Sequence, residues 1–166
     1  PFAAEVRTDV LGNVIASANP GGAPRVMFAG HCDQIGFIVS YINDEGFLYF
    51  RKIGGIDPTA CVSQRVVIQG KQGPVAGVIG RKAIHMQEPD DRTKAPKLDA
   101  LWIDIGAKDK EDAQKLVRLG DPGVFVQSFQ LLQNGRAASM AFDNKMAVWI
   151  IAEAMRLASK SSHKAG

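Results

Sequence analysis

A histidine and an aspartate stand two positions apart in the stretch AGHCDQIGF, residues 29–37, directly after an apolar run. His31 could give one ring nitrogen to a metal ion while Asp33 orients the ring by accepting the other ring N–H. The alternative is a single polar pair whose members hydrogen-bond to each other and to the backbone. An H-x-D spacing by itself does not decide between these two interpretations.

A second candidate is Asp143, in the stretch MAFDNKMAVW at residues 140–149. It follows a β-like run and precedes a helical pattern, so its carboxylate is expected at a sheet edge near a helix N-terminus, where the helix dipole favours an anion. The alternative is an ordinary helix N-cap. The other two histidines, His85 and His163, are interpreted as structural or solvated.

The elements around these residues suggest an α/β sheet. The continuous apolar run RVMFAG, residues 25–30, predicts a strand buried on both faces, with His31 at its carboxyl end. Ligands of open α/β sheets collect outside the carboxyl ends of the strands. After Asp143, apolar residues lie on one helical stripe and on other faces as well, which is typical of a helix buried on several sides inside a larger domain. This chain offers too few partner elements to bury it. The stripe consists of Met146, Ile150, Ala154 and Leu157.

Between the two candidate stretches the chain is rich in short β signals, which suggests a small barrel or sandwich. One hairpin is predicted where IGFIVSYI and FLYFRKI flank NDEG, and another where residues 65–70 and 75–80 flank GKQGP. Residues 87–97 predict an exposed loop, and LDALWIDIGA predicts a strand. Asp109 is expected to cap a helix that Gly120 closes. Further strands are predicted at 6–10, 13–16, 124–131 and 136–141.

Composition narrows the function classes. The chain has 166 residues, 46% hydrophobic and 22% charged, which fits one globular domain or two small ones. Its 20 Lys and Arg are interspersed with 17 Asp and Glu, so the net charge of +3 does not favour nucleic acid binding. No apolar stretch is long enough for a membrane span. Cys32 and Cys61 form no C-x-x-C pattern, and we predict a cytoplasmic protein.

Taken in order along the chain, the motifs resemble those of the tetrahedral aminopeptidases, which are dinuclear-metal exopeptidases also called glutamyl or deblocking aminopeptidases or cellulase M. Two positions depart from the family pattern: Gln34 replaces the usual glutamate, and Lys145 replaces the usual arginine. The matching motifs are D-x-L-G-N at 9–13, H-x-D-x-I-G-F at 31–37, I-G-G at 53–55, R-V-x-I at 65–68, G-V-I-G at 77–80, I-D-I-G-A at 103–107, G-D at 120–121 and D-N at 143–144.

The resemblance implies a site with two divalent metal ions, Zn or Co, with Mn as a further choice. It implies that His31 ligates one ion, that Asp143 bridges both, and that Asp33 belongs to the catalytic site as the group that orients His31. A cis peptide bond is expected between Asp143 and Asn144. The two ions would activate a water molecule for removal of N-terminal residues from peptide substrates.

The resemblance also implies an architecture. Residues 1–33 and 125–166 would form part of a mixed-sheet α/β catalytic domain, which a small β-barrel-like dimerisation domain at 34–124 interrupts. Homodimers would assemble further, up to a tetrahedral dodecamer. Both ends of the chain are expected to be cut.

The family's Glu-Glu pair, a further aspartate and a late histidine have no match in this chain. We therefore expect the chain by itself to be inactive. The alternative is an oligomerisation module without catalysis.

Overall fold

The computed structural model describes residues 2–166, at position 91 the backbone alone. The chain divides into two compact units. We call residues up to Gln34 together with Phe129–Gly166 the flanking unit, and Ile35–Ser128 the barrel unit. The predicted α/β class with a small barrel is confirmed.

Ten strands and four α-helices occur along the described residues. The strands are β1 (Glu5–Thr8), β2 (Val14–Ser17), β3 (Gly36–Ile42), β4 (Leu48–Ile53), β5 (Arg65–Gly70), β6 (Gly73–Gly80), β7 (Trp102–Asp104), β8 (Pro122–Phe125), β9 (Gln130–Leu131) and β10 (Ala137–Ala138). The helices are α1 (Pro58–Cys61), α2 (Pro89–Arg92), α3 (Lys110–Leu116) and α4 (Lys145–Ala158). Short 3-10 turns lie at Ile84–Met86, Leu98–Ala100, Gln133–Gly135 and Met140–Phe142.

The barrel unit contains a closed antiparallel barrel with the strand order β3-β4-β7-β6-β5-β8. Closure leaves no free sheet edge, so the backbone groups of six short strands are paired around the ring. Alternate side chains point inward and form the core, in which Phe37 lies 5.3 Å from Phe50 and 6.1 Å from Phe125 between ring centroids. Each fully buried apolar side chain of this kind stabilises the fold by about 1.5–3 kcal/mol.

Local sequence signals account for the hairpins and for the start of α3. Asn43 Oδ1 accepts the backbone N–H of Phe47 at 2.8 Å across the predicted NDEG turn, where Gly46 has a φ of 86°. Asp109 caps α3 as predicted, because its Oδ1 accepts the N–H of Asp112 at 2.8 Å.

The end of α3 differs from the prediction. The helix stops at Leu116, before Gly120, whose N–H donates to the Val39 carbonyl at 2.8 Å. Gly120 therefore belongs to the turn that leads the chain back onto β3.

The barrel unit ends later than the predicted boundary at residue 124. Phe125 pairs with Val66 in the barrel, and the N–H of Val126 donates to the Arg65 carbonyl at 2.9 Å. These pairings join the residues after β8 to the barrel, so the unit extends to Ser128.

The predicted strand at 25–30 is wrong. The N–H of Val26 donates to the Gly166 carbonyl at 2.8 Å, and the N–H of Gly166 donates to the Pro24 carbonyl at 3.1 Å. Residues 27–30 make no backbone hydrogen bond to any other described residue. A strand needs a partner along its length, and this run has a partner only at its beginning.

The helix after Asp143 is exposed, as expected for a helix that is apolar on nearly all faces in a chain with too few elements to pack on it. No side chain of α4 is buried within the flanking unit, and Trp149 and Ile150 are 64% and 51% exposed. The helix forms where the apolar pattern predicts it. In the described residues, too few elements of its unit pack on it to cover its faces.

Three smaller predictions need correction. The loop at 87–97 contains α2, and Gln87 is buried there because its side chain bonds to Arg81 and to the Lys82 carbonyl. The strand predicted for LDALWIDIGA is reduced to β7, which a 3-10 turn precedes. The runs 124–131 and 136–141 form only short strands. Among residues 2–166, no helix is long and apolar enough to cross a membrane.

Candidate metal centre

The flanking unit brings two segments together around His31. Gly30 lies so close to α4 that a Cβ at this position would be 3.2 Å from the backbone nitrogen of Val148. His31 follows directly, near the first turn of α4. On the other segment, Ser139 Oγ accepts the N–H of Ala141 at 3.2 Å and starts the 3-10 turn that ends before Asp143.

The imidazole ring of His31 stands between two carboxylates. Its Nδ1 lies 3.3 Å from Asp33 Oδ1 and 3.2 Å from the Asp33 carbonyl oxygen. Its Nε2 lies 3.3 Å from Asp143 Oδ1. All three predicted site residues thus meet in one cluster.

The hydrogen-bonding chemistry of this cluster favours a cation between His31 and Asp143. Both ring nitrogens face acceptor oxygens, whereas a neutral imidazole carries a single ring proton and can donate from only one of them. When that proton is on Nδ1, towards the two Asp33 oxygens, Nε2 presents a lone pair to Asp143 Oδ1, which is also an acceptor. Two acceptors that face each other are stabilised by a positive charge between them, either a second ring proton or a metal ion.

The distance between the two candidate ligand atoms also fits a metal ion. Ligands at about 2.0–2.1 Å with tetrahedral angles lie about 3.3 Å apart, and His31 Nε2 and Asp143 Oδ1 are separated by 3.3 Å. Asp33 on the other ring nitrogen supplies the carboxylate–histidine arrangement that orients metal-binding histidines. The donor chemistry of the cluster therefore fits a divalent cation.

The cluster is open and incomplete in the described part of the chain. The side chains of His31 and Asp143 are 52% and 92% exposed. Among the side chains that the structure describes, no group of three His, Cys, Asp or Glu converges in a way that could hold a metal ion. His31 and Asp143 are two donors, and a catalytic zinc site has at least three from protein.

The alternative that Asp143 is an ordinary helix N-cap is wrong. The N-cap of α4 is Asn144, and no side-chain hydrogen bond caps the helix. The peptide bond between Asp143 and Asn144 is cis, as the family resemblance predicts. The Asp143 carboxylate is thus free of a capping role and faces the histidine ring.

Another polar contact of this region was not anticipated from the sequence. Lys145 Nζ donates to Gln34 Oε1 at 2.6 Å. Gln34 and Lys145 both depart from the family pattern, and this is the one signal of their pairing in the sequence. It does not show that the two side chains meet.

Two other acidic residues of the flanking unit have structural partners. Asp9, in the D-x-L-G-N motif, accepts the N–H groups of Leu11 and Asn13 and the side-chain amide of Asn13 at 2.8–3.0 Å. The amide of Asn13 holds the pKa of Asp9 below its usual range. Glu153 accepts from Arg156 Nε at 2.6 Å, and this bond lowers the pKa of Glu153. Glu153 therefore belongs to an ion pair on α4.

Comparison with known proteins places this geometry in a family. A profile of the M42 glutamyl aminopeptidases matches residues 12–166. The lysyl aminopeptidase of Pyrococcus furiosus is 35% identical over 92% of this chain and 44% of its own length. The chain spans less than half the length of the curated relatives it matches.

Solved structures agree. A TET aminopeptidase from the marine sediment archaeon Thaumarchaeota archaeon SCGC AB-539-E09 superimposes with a TM-score of 0.89 and 39% identity, over 99% of this chain and 48% of that one. The TET1 peptidase of Pyrococcus horikoshii, described as able to assemble into a tetrahedron or a large octahedral shell, gives a TM-score of 0.80 and 33% identity over 96% and 47%. The motifs, the fold and these relatives together show that the chain belongs to the M42 glutamyl aminopeptidase family.

Proposed function

We propose that His31 and Asp143 are metal ligands of an aminopeptidase that releases N-terminal residues from peptides. The observation that carries this proposal is that the His31 ring, with one proton when neutral, stands between two carboxylates: Nε2 lies 3.3 Å from Asp143 Oδ1 and Nδ1 lies 3.3 Å from Asp33 Oδ1. Family membership supports the peptidase class.

Each residue of the cluster would have a separate role in the metal site. Asp33 holds the proton on Nδ1 and so keeps the Nε2 lone pair directed at the ion. Asp143 has one oxygen near His31 and a second that can serve another cation, which suits a bridging ligand. When bound, two divalent ions supply an activated hydroxide and polarise the scissile carbonyl. Imidazole and carboxylate donors suit Zn, Co and Mn.

The donor count limits what this chain does unaided. Two converging donors fall short of a catalytic site, so the remaining ligands and the general base must come from groups other than the described residues. We therefore propose that the 166-residue chain alone lacks peptidase activity.

A second candidate function is assembly without catalysis. The barrel unit has a closed sheet and its own core, which suits an independent module. The TET1 peptidase of Pyrococcus horikoshii, of similar structure, can assemble into a tetrahedron or a large octahedral shell. We propose that this chain also takes part in homo-oligomers, with the barrel unit as the dimerisation element. Because Cys32 and Cys61 are both free thiols, we propose the cytoplasm as its location.

The test is an activity assay on the full-length protein. Hydrolysis of aminoacyl p-nitroanilides is measured after chelation and after addition of Zn, Co or Mn. Activity should require metal, and His31→Ala and Asp143→Asn should each lower it by more than the about 10- to 100-fold typical of outer-shell groups. His85→Ala and Asp99→Asn, at exposed positions of the barrel unit, are the matched controls.

Two outcomes would reject the proposal. Full activity of His31→Ala or Asp143→Asn would remove these residues from the site. Absence of metal-dependent activity in a protein that still forms oligomers in sedimentation experiments would favour the assembly module.

A further inference from the structure

Gln34 and Lys145 form a hydrogen bond between the two segments that carry the candidate ligands. Lys145 Nζ lies 2.6 Å from Gln34 Oε1, across a separation of 111 residues in sequence. An ammonium group only donates, so the amide oxygen of Gln34 is necessarily the acceptor. A bond with one charged partner is shorter and stronger than a neutral one.

The position of this bond relative to the ligands is specific. Gln34 follows His31 by three residues, and Lys145 follows Asp143 by two. The segments are thus joined by two side-chain contacts, one where His31 faces Asp143 and one where Gln34 meets Lys145, in addition to the packing of Gly30 against α4. Each further contact between two segments restricts their separation and their relative rotation more closely.

The ammonium group of Lys145 pairs with a neutral amide and not with a carboxylate. Among the described side chains Lys145 forms no ion pair with a carboxylate, and its amide partner is neutral. The carboxylates of Asp33 and Asp143 consequently keep their oxygens for the His31 ring and for a cation. An ion pair from Lys145 to Asp143 would instead compete with the cation for the same oxygens.

We propose that the Gln34–Lys145 hydrogen bond is a positioning contact that, together with the packing of Gly30 on α4, holds His31 and Asp143 at the separation a metal ion requires. This inference rests on the proposed function, since it assigns a role towards the same ion. Neither Gln34 nor Lys145 is a ligand. Both act by positioning His31 and Asp143, which are the proposed ligands.

The experiment measures Co(II) affinity of the full-length protein from the visible absorption of the bound ion. Gln34→Ala and Lys145→Met should each weaken binding about 10-fold, at the lower end of the range for outer-shell groups. The double variant should bind no more weakly than either single variant, because one substitution already breaks the bond. Lys145→Arg keeps a donor of the same charge and should restore most of the affinity.

Thermal unfolding of the metal-free variants separates positioning from folding. The midpoints should stay at the wild-type value while the affinity falls. Lys110→Met is the control, since Lys110 pairs with Asp44 within the barrel unit and should leave Co(II) affinity unchanged.

Several results would overturn the inference. The inference is overturned if both single variants bind Co(II) with wild-type affinity. It is also overturned if the losses of affinity add in the double variant, or if they accompany a lower unfolding midpoint. His31→Ala serves to distinguish this from failure of the proposed function. If His31→Ala abolishes Co(II) binding and Gln34→Ala does not change it, the inference is wrong and the metal site stands. If His31→Ala binds as wild type, both are wrong.

Discussion

His31 Nε2 and Asp143 Oδ1 lie 3.3 Å apart although they come from opposite ends of the chain. The approach is produced within the flanking unit, where Gly30 packs against α4 and the 3-10 turn at Met140–Phe142 directs Asp143 towards the ring. The barrel unit is inserted between the two segments in sequence. The site is therefore assembled by the fold of the flanking unit and not by any local motif.

Replacement of Asp33 by alanine should weaken metal binding without removing a ligand. Asp33 Oδ1 lies 3.3 Å from His31 Nδ1, so loss of this carboxylate leaves the ring less firmly oriented, and we expect about a 10- to 100-fold fall in affinity. Titration with Co(II) checks this value. Glu5→Ala, at an exposed position of β1, is the control. Unchanged affinity in Asp33→Ala would mean that the Asp33 carbonyl alone orients the ring.

Substitution of Gly123 by alanine should destabilise the barrel. A Cβ at Gly123 would clash with the ring of Phe37, which is fully buried, and would lie 3.1 Å from the Val67 carbonyl oxygen. Overpacking of this kind costs about 1–3 kcal/mol of the free energy of unfolding. Urea denaturation measures the loss. Gly55→Ala is the matched control because open space surrounds that position, and equal stability of the two variants would contradict the packing of the barrel.

Asp121→Ala should cost more stability than loss of an exposed carboxylate. Asp121 is 6% exposed and accepts the backbone N–H of Arg118 at 2.8 Å and its Nε at 3.3 Å. Removing a buried acceptor should cost about 1–3 kcal/mol. In Asp44→Ala an exposed ion pair with Lys110 is lost, which should cost about 1 kcal/mol or less. If chemical denaturation ranks the two variants in the opposite order, the buried role of Asp121 is refuted.

The turn closed by Asp9 should weaken only at strongly acidic pH. The side-chain amide of Asn13 lowers the pKa of Asp9 from the usual 3.8, so the carboxylate contributes stability above that value and loses it as pH falls through the lower folded pKa. An NMR titration of the Leu11 and Asn13 amides should give a midpoint below 3.8. Asn13→Ala removes the largest cause and should raise the midpoint, and a midpoint that does not move would exclude the amide as its cause.

Predictions from sequence succeeded where neighbouring residues decide the structure. The Asp109 cap and the NDEG hairpin depend on contacts within a few residues, which a sequence displays directly. The strand at 25–30 failed because it depends on a partner strand. The exposure of α4 agrees with the expectation that this chain holds too few elements to cover the helix.

The site divides in the same way. The candidates His31, Asp33 and Asp143 come from ordered motifs along the chain, and the contact between His31 and Asp33 is local. The bond between Gln34 and Lys145 was not identifiable, because each residue alone reads as an ordinary exposed polar side chain.

Motifs and patterns along the chain revealed the residue types that can bind a cation, the β-rich middle of the chain and the family to which it belongs. The folded structure was needed to show that His31 faces Asp143 across 3.3 Å and that a second side-chain contact joins the same two segments. Ligand geometry depends on distances between residues remote in sequence. Packing of the chain sets those distances, and residue patterns along the chain do not contain them.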